Sequence, residues 1–229
     1  MNINGTKLWL PLVVVLLCFA TVPQGSAPVC GATVRSTEHI VINITFHGAD
    51  DMRPWAQKAL VVADEWYPRI CRMLPSPGFT PPRKVQLVID EKMKGIAYTV
   101  DTTVHLGAEY FRHNPNDLGV IVHELTHVVQ QYHHPEPGWL VEGMADYVRF
   151  YFYEPMARRP HIPPAGHHYT DGYQMAAEFL QFVATHYNSN LVRLLNVKLR
   201  DGTYHDTLFR QLTGHSLQEL WRIFTRKWR

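Results

Sequence analysis

A chain of 229 residues with 46% hydrophobic and 12% aromatic content has material for one sizeable core, which excludes a disordered or fibrous protein. Its formal charge of +2 is nearly balanced and its Lys and Arg residues are scattered, so nothing marks a nucleic-acid-binding surface. At the N-terminus, Lys7 precedes an apolar run from Leu8 to Ala20, and a short region of mostly small and polar residues follows to Ala27. That is the order of a secretory signal peptide, and the run of about 13 residues falls short of the roughly 20 that a membrane span needs. We therefore expect residues 1–27 to be a removable signal and residues 28–229 to form one exported domain. That domain would be extracellular, or periplasmic in a bacterium, with no membrane association once the signal is gone. Cys30 and Cys71 then remain, an even count that suits one disulfide in an oxidising compartment.

Residues 39–47 alternate apolar and polar side chains and predict a half-buried strand. Asp51 to Leu74 carries a helical pattern that Pro68 should end or kink. The Pro-rich stretch from Pro75 to Pro82 reads as a loop, and Lys84 to Asp90 as a second strand. Gly95 to Leu106 reads as a third strand or a hairpin, and Asn114 to Asp117 offers capping chemistry for the next helix. In that helix Leu118, Val122, Leu125, Val129 and Tyr132 recur at helical spacing. Trp139 to Phe152 is a further helix. Beyond a Pro-rich break, residues 172–187, 189–200, 204–212 and 216–228 are all predicted helical. The expectation is an α+β fold, with a small mixed sheet and helices in residues 28–117 and a helical half in 118–229.

The junction helix contains His123-Glu124-Leu125-Thr126-His127. Two histidines four apart lie one turn above each other on one helical face, so their rings can take two corners of a tetrahedral zinc site. Glu124 stands beside them, placed to take a proton from a water. A catalytic zinc keeps a third protein ligand and one open position. His133, Glu142 and Asp146 are the candidates. His133 falls where three-histidine sites place their last ligand, but those carry a glycine at the position of Gln130, which lets the chain turn sharply. With glutamine there we expect the helix to run on and carry His133 away, which favours Glu142.

The blocks His123 to Gln130 and Gly138 to Arg149 resemble the plant and bacterial basic secretory proteases, secreted zincins of the gluzincin type. Asp171 to Leu180, Leu199 to Gly202, Leu212 to Gly214 and Leu217 to Trp221 are similar to that family too. The resemblance implies a zincin-like fold and one Zn2+ on His123, His127 and Glu142, with Glu124 as general base. It also implies that Asp146 orients a ligand histidine, and that Tyr173 donates to the oxyanion, with His168 and Tyr169 as competitors nearby. In gluzincins the strand before the motif helix runs along the cleft and pairs with extended substrate. Residues 97–106 are its counterpart by order. These parts imply a peptidase acting on peptide or protein substrates. No acidic anchor for a free amino terminus is recognisable, which favours an endopeptidase. An aminopeptidase, or a non-catalytic secreted binding protein with a structural zinc, stays open as an alternative. Nothing in the sequence speaks to the oligomeric state.

Overall fold

The computed structural model describes residues 35–37, 40–134 and 137–227; the predicted signal peptide and Cys30 lie outside them. A short strand β1 (Arg35–Thr37) leads into β2 (Ile40–His47), whose Ile42 and Ile44 are buried, as the alternation predicts. Helix α1 (Arg53–Met73) then crosses over to β3 (Lys84–Asp90), which pairs parallel with β2 in the register Ile42 to Val85 and Ile44 to Leu87. Parallel pairing requires such a crossover, because a tight turn cannot bring two strands alongside in the same direction.

Of the two outcomes expected at Pro68, an end or a kink, the helix does not end there: α1 runs on to Met73. A proline inside a helix costs about 3 kcal/mol. Trp66, Tyr67, Ile70 and Leu74 are all buried around that turn, and each such side chain contributes about 1.5–3 kcal/mol. The Tyr67 hydroxyl also donates to the Pro82 carbonyl at 2.7 Å. Packing outweighs the local penalty.

The stretch read as a third strand or a hairpin is a hairpin, β4 (Ala97–Val100) and β5 (Thr103–Gly107), turning at Asp101 with φ 52°. The sheet order is β1-β2-β3-β5-β4, with β5 parallel to β3 and antiparallel to β4. Only residues 97–100 of the expected substrate edge 97–106 therefore lie at an edge. Val104 and Leu106 are fully buried and draw β5 inside, whereas Tyr98 and Val100 stay exposed on β4.

A short helix α2 (Ala108–His113) precedes α3 (Gly119–Gln130), the motif helix, in which every residue but His127 is buried. Its N-terminus has no side-chain cap. In the stretch Asn114 to Asp117, expected to supply one, the Asp117 carboxylate instead accepts hydrogen bonds from the Tyr110 hydroxyl at 2.7 Å and the Arg149 guanidinium at 2.5 Å. At the other end Gln131 takes the left-handed conformation and closes the helix through its N–H to the His127 carbonyl. The helix therefore stops at Gln130 and does not run on as expected: the sharp turn falls one residue later. Arg200 donates to the Val129 carbonyl at 2.9 Å, satisfying one of the free carbonyls of that last turn.

Helix α4 (Gly138–Val148) follows and passes through a wide π-helical turn at Arg149–Tyr153. Then come α5 (Tyr173–His186), α6 (Leu191–Arg200), α7 (Thr207–Thr213) and α8 (Leu217–Arg226), close to the predicted helices. A Cβ at Gly143 would come within 2.6 Å of the Ala176 side chain, so glycine next to Glu142 is what lets α4 lie this close to α5. The result is a small mixed sheet with helices followed by a helical subdomain, a zincin-like α+β fold. No helix among the described residues is long and apolar enough to cross a membrane.

Candidate active site

Helices α3 and α4 bring three donor atoms into a triangle. His123 Nε2 and His127 Nε2 are 3.1 Å apart, and Glu142 Oε2 lies 3.3 Å from the first and 3.5 Å from the second. Four ligands at about 2.05 Å from a tetrahedral zinc are about 3.3 Å from one another. The three edges observed match that spacing, and the two imidazoles and one carboxylate are a donor set that zinc takes. Among the described residues this is the one group of three or more such side chains close enough to hold a metal ion.

The histidines are held by their other nitrogens. His123 Nδ1 lies 2.7 Å from Asp146 Oδ1, and the carboxylate is buried and can only accept, so Nδ1 carries the hydrogen. In the neutral ring that a metal binds, Nε2 then has its lone pair toward the triangle. Spacing explains the contact: Glu142 and Asp146 are four apart on α4 and share a face. His127 Nδ1 lies 2.7 Å from Gln130 Oε1. His133, on the far side of the left-handed turn, lines the outer wall of the cleft and is not part of the triangle.

The charges fit a cation. Burial works against a charged His123, yet its hydrogen bonds to Asp146 and Glu142 outweigh burial and push its pKa up to about 10. Burial would likewise raise Glu142, but the two histidines hold it down at about 2. The protonated His123 stabilises the metal-free fold fully below its ordinary 6.5, and that contribution is lost as pH rises through about 10. The ionised Glu142 contributes above its ordinary 4.5 and is lost as pH falls toward about 2. Chelator-treated protein is therefore expected to melt progressively lower as pH climbs above 6.5. Zinc-loaded protein, in which the ion replaces the proton, should keep its Tm over the same range. Differential scanning fluorimetry across that range checks this, and parallel curves with and without zinc would count against it.

Glu124 is 5% exposed, and its Oε2 accepts from the Thr99 hydroxyl at 2.7 Å. The same hydroxyl lies 3.1 Å from the Glu124 carbonyl oxygen. Edge strand β4 thus reaches the motif helix through one side chain. Tyr173 opens α5 directly after Gly172, and both residues have positive φ, 46° and 77°. Such backbone costs about 1–3 kcal/mol in a residue other than glycine and is kept only where the surroundings impose it. Here it turns the ring into the cleft, parallel to His123 at 6.3 Å between centroids. The charge of Glu142, then burial and the charges of Asp146 and Glu124, raise the Tyr173 pKa, so the hydroxyl keeps its proton and remains a donor. Of its competitors, Tyr169 is buried against Trp139 and Phe179, and His168 packs on Tyr169 and Trp221.

Thr99 and Gln130 escaped the sequence reading as site residues. Gln130 was visible as the departure from glycine, and Thr99 as a polar side chain in a predicted edge strand. Cys71, half-buried on α1, has its thiol pushed up to about 11 by burial; its proposed partner Cys30 lies outside the described residues.

No curated protein matches the chain. A family model described as peptidases of plants and bacteria matches residues 47–224, well over half of the chain. Histidines at 123 and 127 with glutamates at 124 and 142 are the gluzincin arrangement, and they identify a zinc metallopeptidase. On that span and that site together, the chain belongs to the BSP family, the peptidases of plants and bacteria.

Proposed function

We propose that this chain is an exported zinc endopeptidase that cuts within extended polypeptides, its catalytic domain being residues 28–229 after loss of the signal. The observation that carries the reading is a cleft open on both sides of Glu124. One lobe, of about 710 Å³, is lined by Thr99, Asp101, Gln131 and His133; the other, of the same volume, by Ile96, Val120, Phe150 and Ile162. Ala97, His123, Glu124 and Tyr173 line both. Strand β4 runs from one lobe to the other with its outer edge unpaired among the described strands, so a peptide can add to it as a further strand and continue past the reacting bond both ways.

His123 Nε2, His127 Nε2 and Glu142 Oε2 would hold the zinc, which when bound polarises the scissile carbonyl and acidifies the attacking water. Glu124 accepts the proton of that water and returns it to the departing amine nitrogen. Thr99 occupies one carboxylate oxygen, which leaves the other for the proton. Tyr173 donates its O–H to the carbonyl oxygen as negative charge builds there. Asp146 keeps His123 in the tautomer that presents Nε2.

An aminopeptidase would need an acid to hold a free ammonium group, and Asp101 in the first lobe is a candidate that sequence did not single out. Peptides acetylated at one end and amidated at the other separate the readings. Cleavage at internal bonds is expected, with loss on chelation; turnover only of free amino termini would make the enzyme an aminopeptidase. On the same peptides Tyr173→Phe should lower kcat by about 10²-fold with little change in KM, the effect of losing one oxyanion donor. An unchanged kcat removes Tyr173 from that role.

A further inference from the structure

We infer that Gln130 is a positioning residue for the metal site: it sets the tautomer of His127 and ties that ring to the helix bearing Glu142. The inference rests on zinc binding at the triangle. Gln130 is 2% exposed, and its amide is suspended between two groups. Its Nε2 donates to the Val141 carbonyl at 2.9 Å, and its Oε1 lies 2.7 Å from His127 Nδ1. Only one orientation of the amide satisfies both contacts. A carbonyl can only accept, so the NH2 must face Val141 and the oxygen must face the ring. His127 Nδ1 is then compelled to donate, and Nε2 keeps its lone pair, directed toward His123 Nε2 and Glu142 Oε2.

The second contact makes this more than a local hydrogen bond. Val141 precedes Glu142 in α4, so a single buried side chain sets the ring on one helix relative to the ligand on the next. Any shift of α4 along α3 breaks the Val141 bond, and any swing of His127 breaks the other. The two histidines also differ in partner: His123 leans on the carboxylate of Asp146, His127 on a neutral amide. This accounts for glutamine at a position where a sharp turn alone would favour glycine. The turn is made by Gln131, which leaves the side chain of Gln130 free for the ring.

Two variants separate positioning from plain structural support. Gln130→Met keeps the volume and loses both hydrogen bonds. Gln130→Glu keeps an acceptor for His127 and loses the donor to Val141. Zinc affinity, measured by competition with a chromogenic chelator, is expected to fall about 10–100-fold in Gln130→Met, the cost of removing an outer partner of a ligand. In the zinc-loaded Met variant the slowly exchanging Nδ1–H resonance of His127, read by NMR on 15N-histidine protein, should disappear. Gln130→Glu should keep that resonance and bind zinc more tightly than Gln130→Met, but more weakly than wild type because the Val141 tie is lost. If both variants lose zinc equally, or the Met variant binds as wild type does, Gln130 does not position His127. If wild-type protein itself takes up no zinc, the failure belongs to the metal assignment.

Discussion

Replacing Glu124 with glutamine is expected to remove most peptide hydrolysis while leaving zinc in place. Glu124 is not one of the three donors in the triangle, and glutamine has the same shape. The substituted amide can still accept the Thr99 hydroxyl through its oxygen, so the local fold has no reason to change. What it loses is the second oxygen: an NH2 group faces the attacking water and cannot take its proton. General-base catalysis is worth roughly 10²–10⁴-fold, and a fall in kcat/KM of that size is the expected result. The measurement pairs a fluorogenic peptide assay with the zinc content of the same samples. A variant that hydrolyses peptides as wild type does would remove Glu124 from the chemistry.

Glu142→Ala carries the second large effect, and it falls on the metal before the rate. The carboxylate supplies the third corner of the triangle, at 3.3 and 3.5 Å from the two imidazole nitrogens. Without it the cation loses both a ligand and its one directly bound negative charge. The loss of zinc affinity should exceed the roughly 10–100-fold that outer partners command. His133→Ala is the matching control. His133 lines the cleft wall outside the triangle, so zinc affinity should stay at the wild-type level. Chelator competition on the two variants decides between them, and zinc retained by Glu142→Ala but lost by His133→Ala would reverse the ligand assignment.

Much of the fold was legible in local pattern. Strand β3 spans the predicted residues, β2 and the C-terminal helices nearly so, and α1 begins within two residues of its expected start. Periodicity reports which face of an element is apolar, and burial follows that face. Local rules failed where a distant contact outweighed them. Pro68 is carried through because Tyr67 and Ile70 are buried against other elements. Asp117 does not cap α3 because Arg149, 32 residues later, takes its carboxylate instead.

The site divides along the same line. His123, Glu124 and His127 are set by spacing on one helix, and Asp146 stands one turn beyond Glu142 on another; both relations follow from 3.6 residues per turn. The sequence alone therefore determined the metal-ligand types, their helical phase and the peptidase class that their pattern resembles. The remainder required two elements to meet in space. Thr99 reaches Glu124 across 25 residues, and Gln130 joins His127 to the carbonyl before Glu142. The edge of the sheet passed to β4 because the apolar side chains of β5 pulled that strand inside. Helical phase is a property of neighbouring residues, whereas the partner of a buried amide or hydroxyl is chosen by how whole elements pack.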